Sequence, residues 1–206
     1  MGLFNKFFNQ TRKPQGFLGK IMLTGMNGGG HAALADFGMK ELPERGVKEI
    51  VELGCGGGRN VSALLKRYEN AFVTAVDYSA LSVEKAKKFN KKNASRCEIK
   101  QGDVSKLDLP KEKFDLATAF ETVYFWQGIE KCFENVRDVL KKGGRFLIVN
   151  ESDGTDETGK KYESIIEGMK VYTAEELEEN LKKAGFEDVM IVRHEKKPWI
   201  AVLARK

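Results

Sequence analysis

The stretch VKEIVELGCGGG, residues 47–58, decides the fold of this 206-residue chain. Its first seven residues are rich in Val and Ile, which predicts a buried strand. Four of its last five residues are glycine, and a helical pattern follows at once. Glycine permits positive φ angles and lets a ligand approach the main chain closely. A strand, a glycine loop and a helix in this order predict an α/β fold with a ligand at the loop.

Downstream of the loop, short apolar segments alternate with amphipathic ones. Val61, Leu64, Leu65 and Tyr68 recur at helical spacing and predict one buried helix face. The same reasoning predicts strands at 47–53, 71–77, 97–101, 114–120 and 145–149, with helices at 61–68, 81–93, 129–140 and 174–184. Residues 151–161 are predicted to form a polar loop. The final two strands, 188–193 and 199–204, are joined by a link too short for a crossover helix, so they must pair antiparallel.

This order predicts a doubly wound, Rossmann-like sheet of seven strands, mostly parallel, with a C-terminal antiparallel hairpin. We assign residues 47–206 to this domain. Residues 1–46 are too few for a domain of their own and are predicted to form an N-terminal helical lid. Within them a helix is expected at 31–42, after a glycine stretch at 28–30 that could act as a hinge.

The composition favours no macromolecular partner. Lys and Arg number 35 against 30 Asp and Glu, but the two signs are interleaved, so we expect no nucleic-acid binding. Cys55, Cys97 and Cys132 form no C-x-x-C pair, which predicts neither a metal site nor a disulfide framework and suits a reducing cytoplasm. No apolar stretch approaches the roughly 20 residues that span a bilayer. We therefore expect a cytoplasmic protein, either a monomer or a homodimer.

An acidic residue follows the second predicted strand. Asp77 lies 19 residues after Gly58, where a carboxylate can accept both hydroxyls of a ribose. The loop lacks the third glycine of the nicotinamide fingerprint, because Arg59 or Val61 occupies that position in either register. A Gly-Lys-Ser/Thr sequence is also absent, which excludes a P-loop. The pattern therefore predicts a cofactor that contains a nucleoside but is neither a dinucleotide nor a triphosphate.

The motif Glu-x-Gly-x-Gly-x-Gly at 52–58 resembles the first motif of class I S-adenosylmethionine-dependent methyltransferases. Four later segments resemble that family in order and spacing: Val76–Ser79, Gly102–Val104, Phe114–Glu121 and Val139–Phe146. The resemblance as a whole covers about residues 46–206. It extends to the small-molecule, methyltransferase type 11-like branch. The resemblance implies S-adenosylmethionine as cofactor and S-adenosylhomocysteine as product.

The resemblance also implies which residues contact the cofactor. The glycine loop would contact the methionine end of the cofactor, and the ends of the next two strands would contact its ribose and adenine. The fourth strand would form the floor of the binding site. The residues implied are Glu52, Gly54, Cys55, Gly56, Asp77, Tyr78, Gly102, Asp103, Val104 and Phe120.

The methyl acceptor is expected at the same edge of the sheet. Glu121, Tyr124 and Trp126 follow the fourth strand, at the carboxyl edge where ligands bind in such sheets. Tyr124 and Trp126 are predicted to line the acceptor pocket, although packing under the leader explains them equally well. His31 is predicted to act as a base or substrate anchor, although a helix-cap or surface role explains it equally well, and Glu121 is predicted as a second catalytic residue. Glu151, after the fifth strand, reaches the same edge.

Methyl transfer from a sulfonium is an in-line displacement, so the protein mainly positions the acceptor and excludes water. We expect a small-molecule acceptor, because the Pro-Pro-aromatic motif of nucleic-acid amino-methyltransferases is absent. RNA or protein methylation remains open, as does a non-catalytic protein that binds a nucleoside cofactor.

Overall fold

A computed structural model describes residues 29–206 as an α/β structure around one sheet. The strand order is β3-β2-β1-β4-β5-β7-β6. β1 to β5 pair in parallel, whereas β7 pairs antiparallel with both β5 and β6. The predicted fold class is confirmed. The strands are β1 Glu49–Leu53, β2 Phe72–Asp77, β3 Cys97–Gln101, β4 Phe114–Phe120, β5 Leu140–Asn150, β6 Glu187–Arg193 and β7 Ile200–Arg205.

Helices cover both faces of the sheet. Alternate residues of a strand point to opposite faces, so Ile50 and Val51 enter different apolar clusters. One cluster contains the buried side chains of α4 and α6, and the other those of α1, α2 and α3. Within residues 29–206, no helix has the length and apolar character needed to cross a membrane. The helices are α1 Gly29–Met39, α2 Arg59–Arg67, α3 Ala80–Phe89, α4 Ile129–Val139, α5 Glu157–Ile165 and α6 Ala174–Lys183.

Helix α1 packs directly on the sheet. A Cβ atom added to Gly38 would lie 2.2 Å from Cγ2 of Val149, so the helix approaches β5 too closely for a larger residue. The Phe37 ring lies 5.4 Å from His194 and 6.1 Å from Trp199, centroid to centroid, which ties α1 to the terminal hairpin. This helix therefore shares the core of the main domain. The division at residue 46 stays a prediction, and residues 1–28, with most of the expected lid, lie outside the described residues. Gly29 and Gly30 of the expected hinge form the start of α1.

Two predicted elements differ from the structure. The loop expected at 151–161 contains the start of α5, which is capped by Asp156 through a 2.8 Å bond from the N–H of Gly159. The segment is strongly polar, so its sequence shows no stripe of apolar residues at helical spacing that would have predicted a helix. The fifth strand begins at Leu140, directly after α4, rather than at residue 145. The pair Gly143-Gly144 lies within this strand and does not follow the helix.

Candidate functional site

The glycine loop between β1 and α2 has a backbone that only glycine adopts easily. Gly54, Gly56 and Gly58 have φ angles of 81°, 50° and 84°. A Cβ atom at Gly54 would lie 2.2 Å from Cγ2 of Thr122, and one at Gly58 would lie 2.8 Å from Cα of Ala86. At Gly56 the same position has no neighbour within 4 Å. Two glycines therefore permit tight packing, while Gly56 faces open space.

A cavity of about 300 Å³ opens at the carboxyl ends of the parallel strands. Seven of the ten predicted cofactor residues line it: Gly54, Gly56, Asp77, Tyr78, Gly102, Asp103 and Val104. The wall continues to Glu121 and Trp126, which were predicted for the acceptor side. The rest of the lining includes Val76, from the motif-like segment Val76–Ser79, and Phe125, which lies between Tyr124 and Trp126 in the sequence. The other lining residues were missed because no motif marks them: Ser82, Ser105, Thr122, Gln127 and Cys132.

Asp77 is fixed in this cavity by main-chain donors. Its Oδ2 accepts a bond of 2.8 Å from the N–H of Gly56, and its Oδ1 accepts one of 2.9 Å from the N–H of Ser79. Burial raises the pKa of Asp77 above its ordinary value, and the two hydrogen bonds oppose the rise. Each carboxylate oxygen retains a lone pair for a ligand. The side chain is therefore oriented to accept hydroxyl groups.

The next strand end contributes a second carboxylate. Oδ1 of Asp103 accepts hydrogen bonds from Ser105, at 2.9 Å from its N–H and 2.7 Å from its hydroxyl. The N–H of Gly102 donates to the carbonyl of Asp77 over 3.0 Å. A Cβ atom at Gly102 would lie 2.8 Å from Cγ1 of Val76, so this turn also needs a glycine. These contacts hold Asp103 and Asp77 on adjacent strand ends.

Three predicted cofactor residues lie outside the main cavity. Glu52 is fully buried beneath the glycine loop, where it pairs with the hydroxyl of Thr118. Burial raises the pKa of Glu52 to about 8, and the bond from Thr118 opposes this. Cys55 and Phe120 line a second cavity of about 50 Å³, together with His31. Contacts between these residues and a cofactor stay a prediction.

Glu121 lies where the two cavities meet and lines both. Its φ is 60°, an unusual angle for a residue other than glycine. Its Oε1 accepts hydrogen bonds from the Tyr124 hydroxyl, at 3.0 Å, and from the N–H of Glu151. Burial raises the pKa of Glu121 to about 8; the two hydrogen bonds oppose the rise and the Glu151 carboxylate adds to it. The side chain is thus held firmly at the predicted acceptor end.

The two predicted acceptor-pocket aromatics occupy different places. Trp126 lines the main cavity with Phe125, and its ring also stacks on Phe146 at 6.2 Å. Tyr124 is 4% exposed and does not line the main cavity. Its hydroxyl supports Glu121 from behind and accepts a 3.3 Å bond from the N–H of Ser152.

Three side chains from separate parts of the chain, one of them that of Glu121, converge at the junction of the two cavities. His31 comes from the first turn of α1, Glu121 follows β4 and Glu151 follows β5. Each offers one ligand atom, and these three atoms lie within 4.8 Å of one another. Sequence reasoning selected His31 and Glu121 separately. Only the packing of α1 across β5 brings them together.

Comparisons with known proteins match the same part of the chain to methyltransferases. A family model described as a methyltransferase domain matches residues 50–144. The chain is 29% identical over 153 residues to 2-methyl-6-phytyl-1,4-hydroquinone methyltransferase 1 of Oryza sativa subsp. japonica, covering 74% of this chain and 45% of the relative. It is 30% identical over 106 residues to the malonyl-[acyl-carrier protein] O-methyltransferase of Priestia megaterium, covering 52% of this chain and 38% of the relative. The chain thus spans less than half the length of these relatives.

A crystal structure of a SAM-dependent methyltransferase from Aquifex aeolicus superposes with a TM-score of 0.75 at 21% identity, covering 89% of this chain and 96% of that one. At this identity the likeness concerns the fold. The matched residues 50–144 run from β1 through the glycine loop, Asp77 and Asp103 to β5, and so contain the core of the cavity. Residues 50–144 therefore match the methyltransferase-domain family, and the chain shares the fold of an S-adenosylmethionine-dependent methyltransferase.

Proposed function

We propose that this protein transfers a methyl group from S-adenosylmethionine to a small-molecule acceptor. The observation that supports it most strongly is the continuity of the 300 Å³ cavity, which runs from Asp103 through Asp77 and Gly56 to Glu121 and Trp126. A cofactor bound along the first three residues would present its sulfonium to the last two. The donor and the acceptor thus have adjoining places in one cavity.

Each part of the cofactor has a complementary group in the cavity. Asp77 would accept the ribose hydroxyls, because both its oxygens are oriented and retain lone pairs. The adenine would lie between Val104 and Tyr78, whose ring is 51% exposed at the cavity edge. Asp103 would accept the amino group of the base. The methionine end would then reach Gly54 and Gly56, where open space allows a close approach to the main chain.

The acceptor end combines aromatic and ionisable groups. Trp126 and Phe125 offer apolar walls, and Glu121 and His31 offer polar contacts to the acceptor. The methyl carbon is supplied by the cofactor, so the site accelerates transfer by aligning the acceptor with the carbon–sulfur bond. The names of the two curated relatives concern a hydroquinone and a malonyl group. Both names support methyl transfer to a small organic group rather than to a nucleic acid.

Isothermal titration calorimetry tests the cofactor first. S-adenosylmethionine is expected to bind, NAD is not, and Asp77→Ala is expected to lower the affinity at least 100-fold. Asp108→Ala is the matched control, because Asp108 is an exposed carboxylate that does not line the cavity. Binding of NAD without S-adenosylmethionine would overturn the proposal.

A metabolite screen that follows release of S-adenosylhomocysteine tests the acceptor. One small molecule should give turnover that Asp77→Ala abolishes. Turnover only on RNA or on protein would overturn the acceptor class. Tight cofactor binding with no turnover on any of these would instead favour a non-catalytic, cofactor-binding protein.

A further inference from the structure

We propose that His31, Glu121 and Glu151 form a binding site for one divalent metal ion at the acceptor end of the cavity. The binding of the ion stands on the geometry of these residues alone. Its role in catalysis rests on the proposed function. The ion would hold an oxygen atom of the acceptor beside the methyl group.

The first argument is the distance between the donor atoms. One imidazole nitrogen and two carboxylate oxygens lie within 4.8 Å of one another. Ligands about 2.0 to 2.2 Å from a common ion are at most roughly 4.4 Å apart. Small side-chain movements are therefore enough to close this set around an ion. The set contains an imidazole as well as carboxylates, which is a mixed donor group suited to Mn²⁺ or Zn²⁺.

The second argument is charge. Two carboxylates this close repel each other unless a proton or a cation lies between them. Among the ion pairs formed within residues 29–206, none involves Glu121 or Glu151. A divalent ion compensates both carboxylates and accepts the neutral imidazole as its third ligand.

The third argument is the support behind one ligand. Tyr124 is buried, and its hydroxyl donates to Glu121 while accepting from the N–H of Ser152. The N–H of Glu151 binds the same Glu121 oxygen. Hydrogen bonds of this kind orient metal-binding carboxylates. Because a carboxylate has about four lone-pair sites, Glu121 can still bind an ion.

The elements that carry the three ligands are held rigidly. The N–H of Glu121 donates to the carbonyl of Val149 over 2.9 Å, which fixes the end of β4 against β5. Helix α1 is held on β5 by the close contact at Gly38 and on α2 by an ion pair of 3.2 Å between Asp36 and Arg59. The three ligands therefore lie on the first turn of α1 and directly after two strand ends that these contacts fix in place.

The site is open toward an acceptor. Glu151 is exposed and His31 is only partly buried, so three protein ligands leave further coordination positions for water or substrate. Glu121 also lines the cofactor cavity, which places the ion beside the methionine end. An acceptor with two neighbouring oxygen atoms, such as a vicinal diol or a hydroxy acid, would displace the waters and chelate the ion.

The ion would activate the acceptor as a Lewis acid. It lowers the pKa of a bound hydroxyl, whose proton passes to solvent water. The resulting oxyanion attacks the methyl carbon of the sulfonium. The new C–O bond forms as the C–S bond breaks, and its electron pair returns to sulfur to give the neutral thioether. The products are a methyl ether or ester and S-adenosylhomocysteine.

Electron paramagnetic resonance with Mn²⁺ as the probe tests the site in the full chain, after removal of metals with a chelator and without cofactor. We expect one saturable Mn²⁺ site per chain, which Zn²⁺ displaces. Glu151→Gln and His31→Ala should each lower Mn²⁺ affinity at least tenfold. Glu98→Gln is the control, because it removes an exposed carboxylate from the far edge strand β3.

Titration of S-adenosylmethionine separates this proposal from the proposed function. Glu151→Gln should retain wild-type cofactor affinity while losing Mn²⁺, which also shows that the variant is folded. No saturable binding of either ion would overturn the metal site and leave His31 as a base or anchor. Saturable Mn²⁺ binding that both ligand variants leave unchanged would overturn it as well, since the ion would then bind elsewhere.

Discussion

The carboxylate of Asp77 is bonded to the main chain of Gly56, with 2.8 Å between Oδ2 and the nitrogen. This bond joins the end of β2 to the glycine loop that follows β1, so the same carboxylate that is proposed to bind ribose also shapes the methionine end. The carbonyl of the preceding residue, Val76, adds to the link by accepting from the N–H groups of Gly54 and Cys55 at 2.7 and 3.1 Å. The two halves of the cofactor site are therefore linked by hydrogen bonds.

Asp77→Asn tests this coupling. The amide keeps the shape of the side chain but replaces one accepting oxygen with a donor, so the bond to Gly56 or to Ser79 is lost. We expect S-adenosylmethionine affinity to fall at least tenfold and the free energy of unfolding to fall by about 1–2 kcal/mol. Calorimetry and urea unfolding measure the two effects, with Asp108→Asn as the control. A fall in stability with unchanged affinity would show that Asp77 shapes the loop without binding the cofactor.

Gly54→Ala is expected to damage the loop through two separate costs. A left-handed backbone lowers the free energy of unfolding by about 1–2 kcal/mol for a residue with a side chain. Overpacking against Thr122 lowers it by about 1–3 kcal/mol more. Gly46→Ala is a matched control, because Gly46 has a φ of 84° but no atom within 4 Å of the added Cβ. Urea unfolding should show a clearly larger loss for Gly54→Ala.

The double variant Gly54→Ala with Thr122→Ser separates the two costs. Serine removes the Cγ2 atom that the new methyl group would meet at 2.2 Å. It keeps the hydroxyl, which donates to the carbonyl of Leu53 over 3.0 Å. Part of the overpacking loss should be recovered, because Cβ of residue 122 still lies 2.7 Å from the added methyl group, and the backbone part should remain. No recovery at all would mean that the close approach to Thr122 does not limit this position.

The fold and most of the cofactor cavity follow from local sequence. Glycine spacing and strand periodicity act over a few residues, and the carboxyl ends of parallel strands necessarily meet at one edge. Asp77 and Asp103 could therefore be assigned to the site from their positions after strands. Glu52 occupies the same motif, but its side chain points beneath the loop, and the strand pattern does not reveal which face of β1 carries it.

The acceptor end could not be predicted in the same way. His31 and Glu121 are 90 residues apart in sequence, and their contact depends on the seating of Gly38 against Val149. No periodic pattern records that approach. The scattered cysteines predict no metal site, whereas the mixed imidazole and carboxylate group comes together only in the folded chain. Tyr124 was expected in the pocket wall because it follows β4 at the carboxyl edge, but only its neighbours Phe125 and Trp126 line the main cavity.

Gly38→Ala is expected to displace helix α1 from the sheet. The added methyl group would lie 2.2 Å from Cγ2 of Val149, which is itself fully buried and cannot move aside. We expect a loss of about 1–3 kcal/mol in the free energy of unfolding. Since α1 carries His31 and no residue that lines the main cavity, Mn²⁺ affinity should fall more than S-adenosylmethionine affinity.

The compensating variant Gly38→Ala with Val149→Ala tests the cause. It removes the two methyl groups that Gly38→Ala would meet, so Mn²⁺ affinity should return toward that of Val149→Ala alone. Equal loss of both ligands in Gly38→Ala, with no recovery in the double variant, would indicate general damage to the core rather than a shift of α1.

Stability should depend on pH through Glu52. Its pKa is about 8 in the folded chain against an ordinary value of 4.5, because it is buried. Between these values the folded chain holds a proton that the unfolded chain has released. Raising the pH therefore favours unfolding: the contribution of Glu52 is complete below about pH 4.5 and is lost as the pH rises through 8. The loss is at most about 4–5 kcal/mol.

Glu52→Gln removes this titration while keeping an acceptor for the hydroxyl of Thr118. The free energy of unfolding of both proteins should be measured in urea at pH 5, 6.5 and 8.5. Other titrating groups cancel in the difference between them, so that difference isolates Glu52. We expect Glu52→Gln to gain about 2–4 kcal/mol relative to wild type between pH 5 and 8.5. A difference that stays constant over this range would mean that Glu52 is ionised in the folded chain, compensated by a cation beneath the loop.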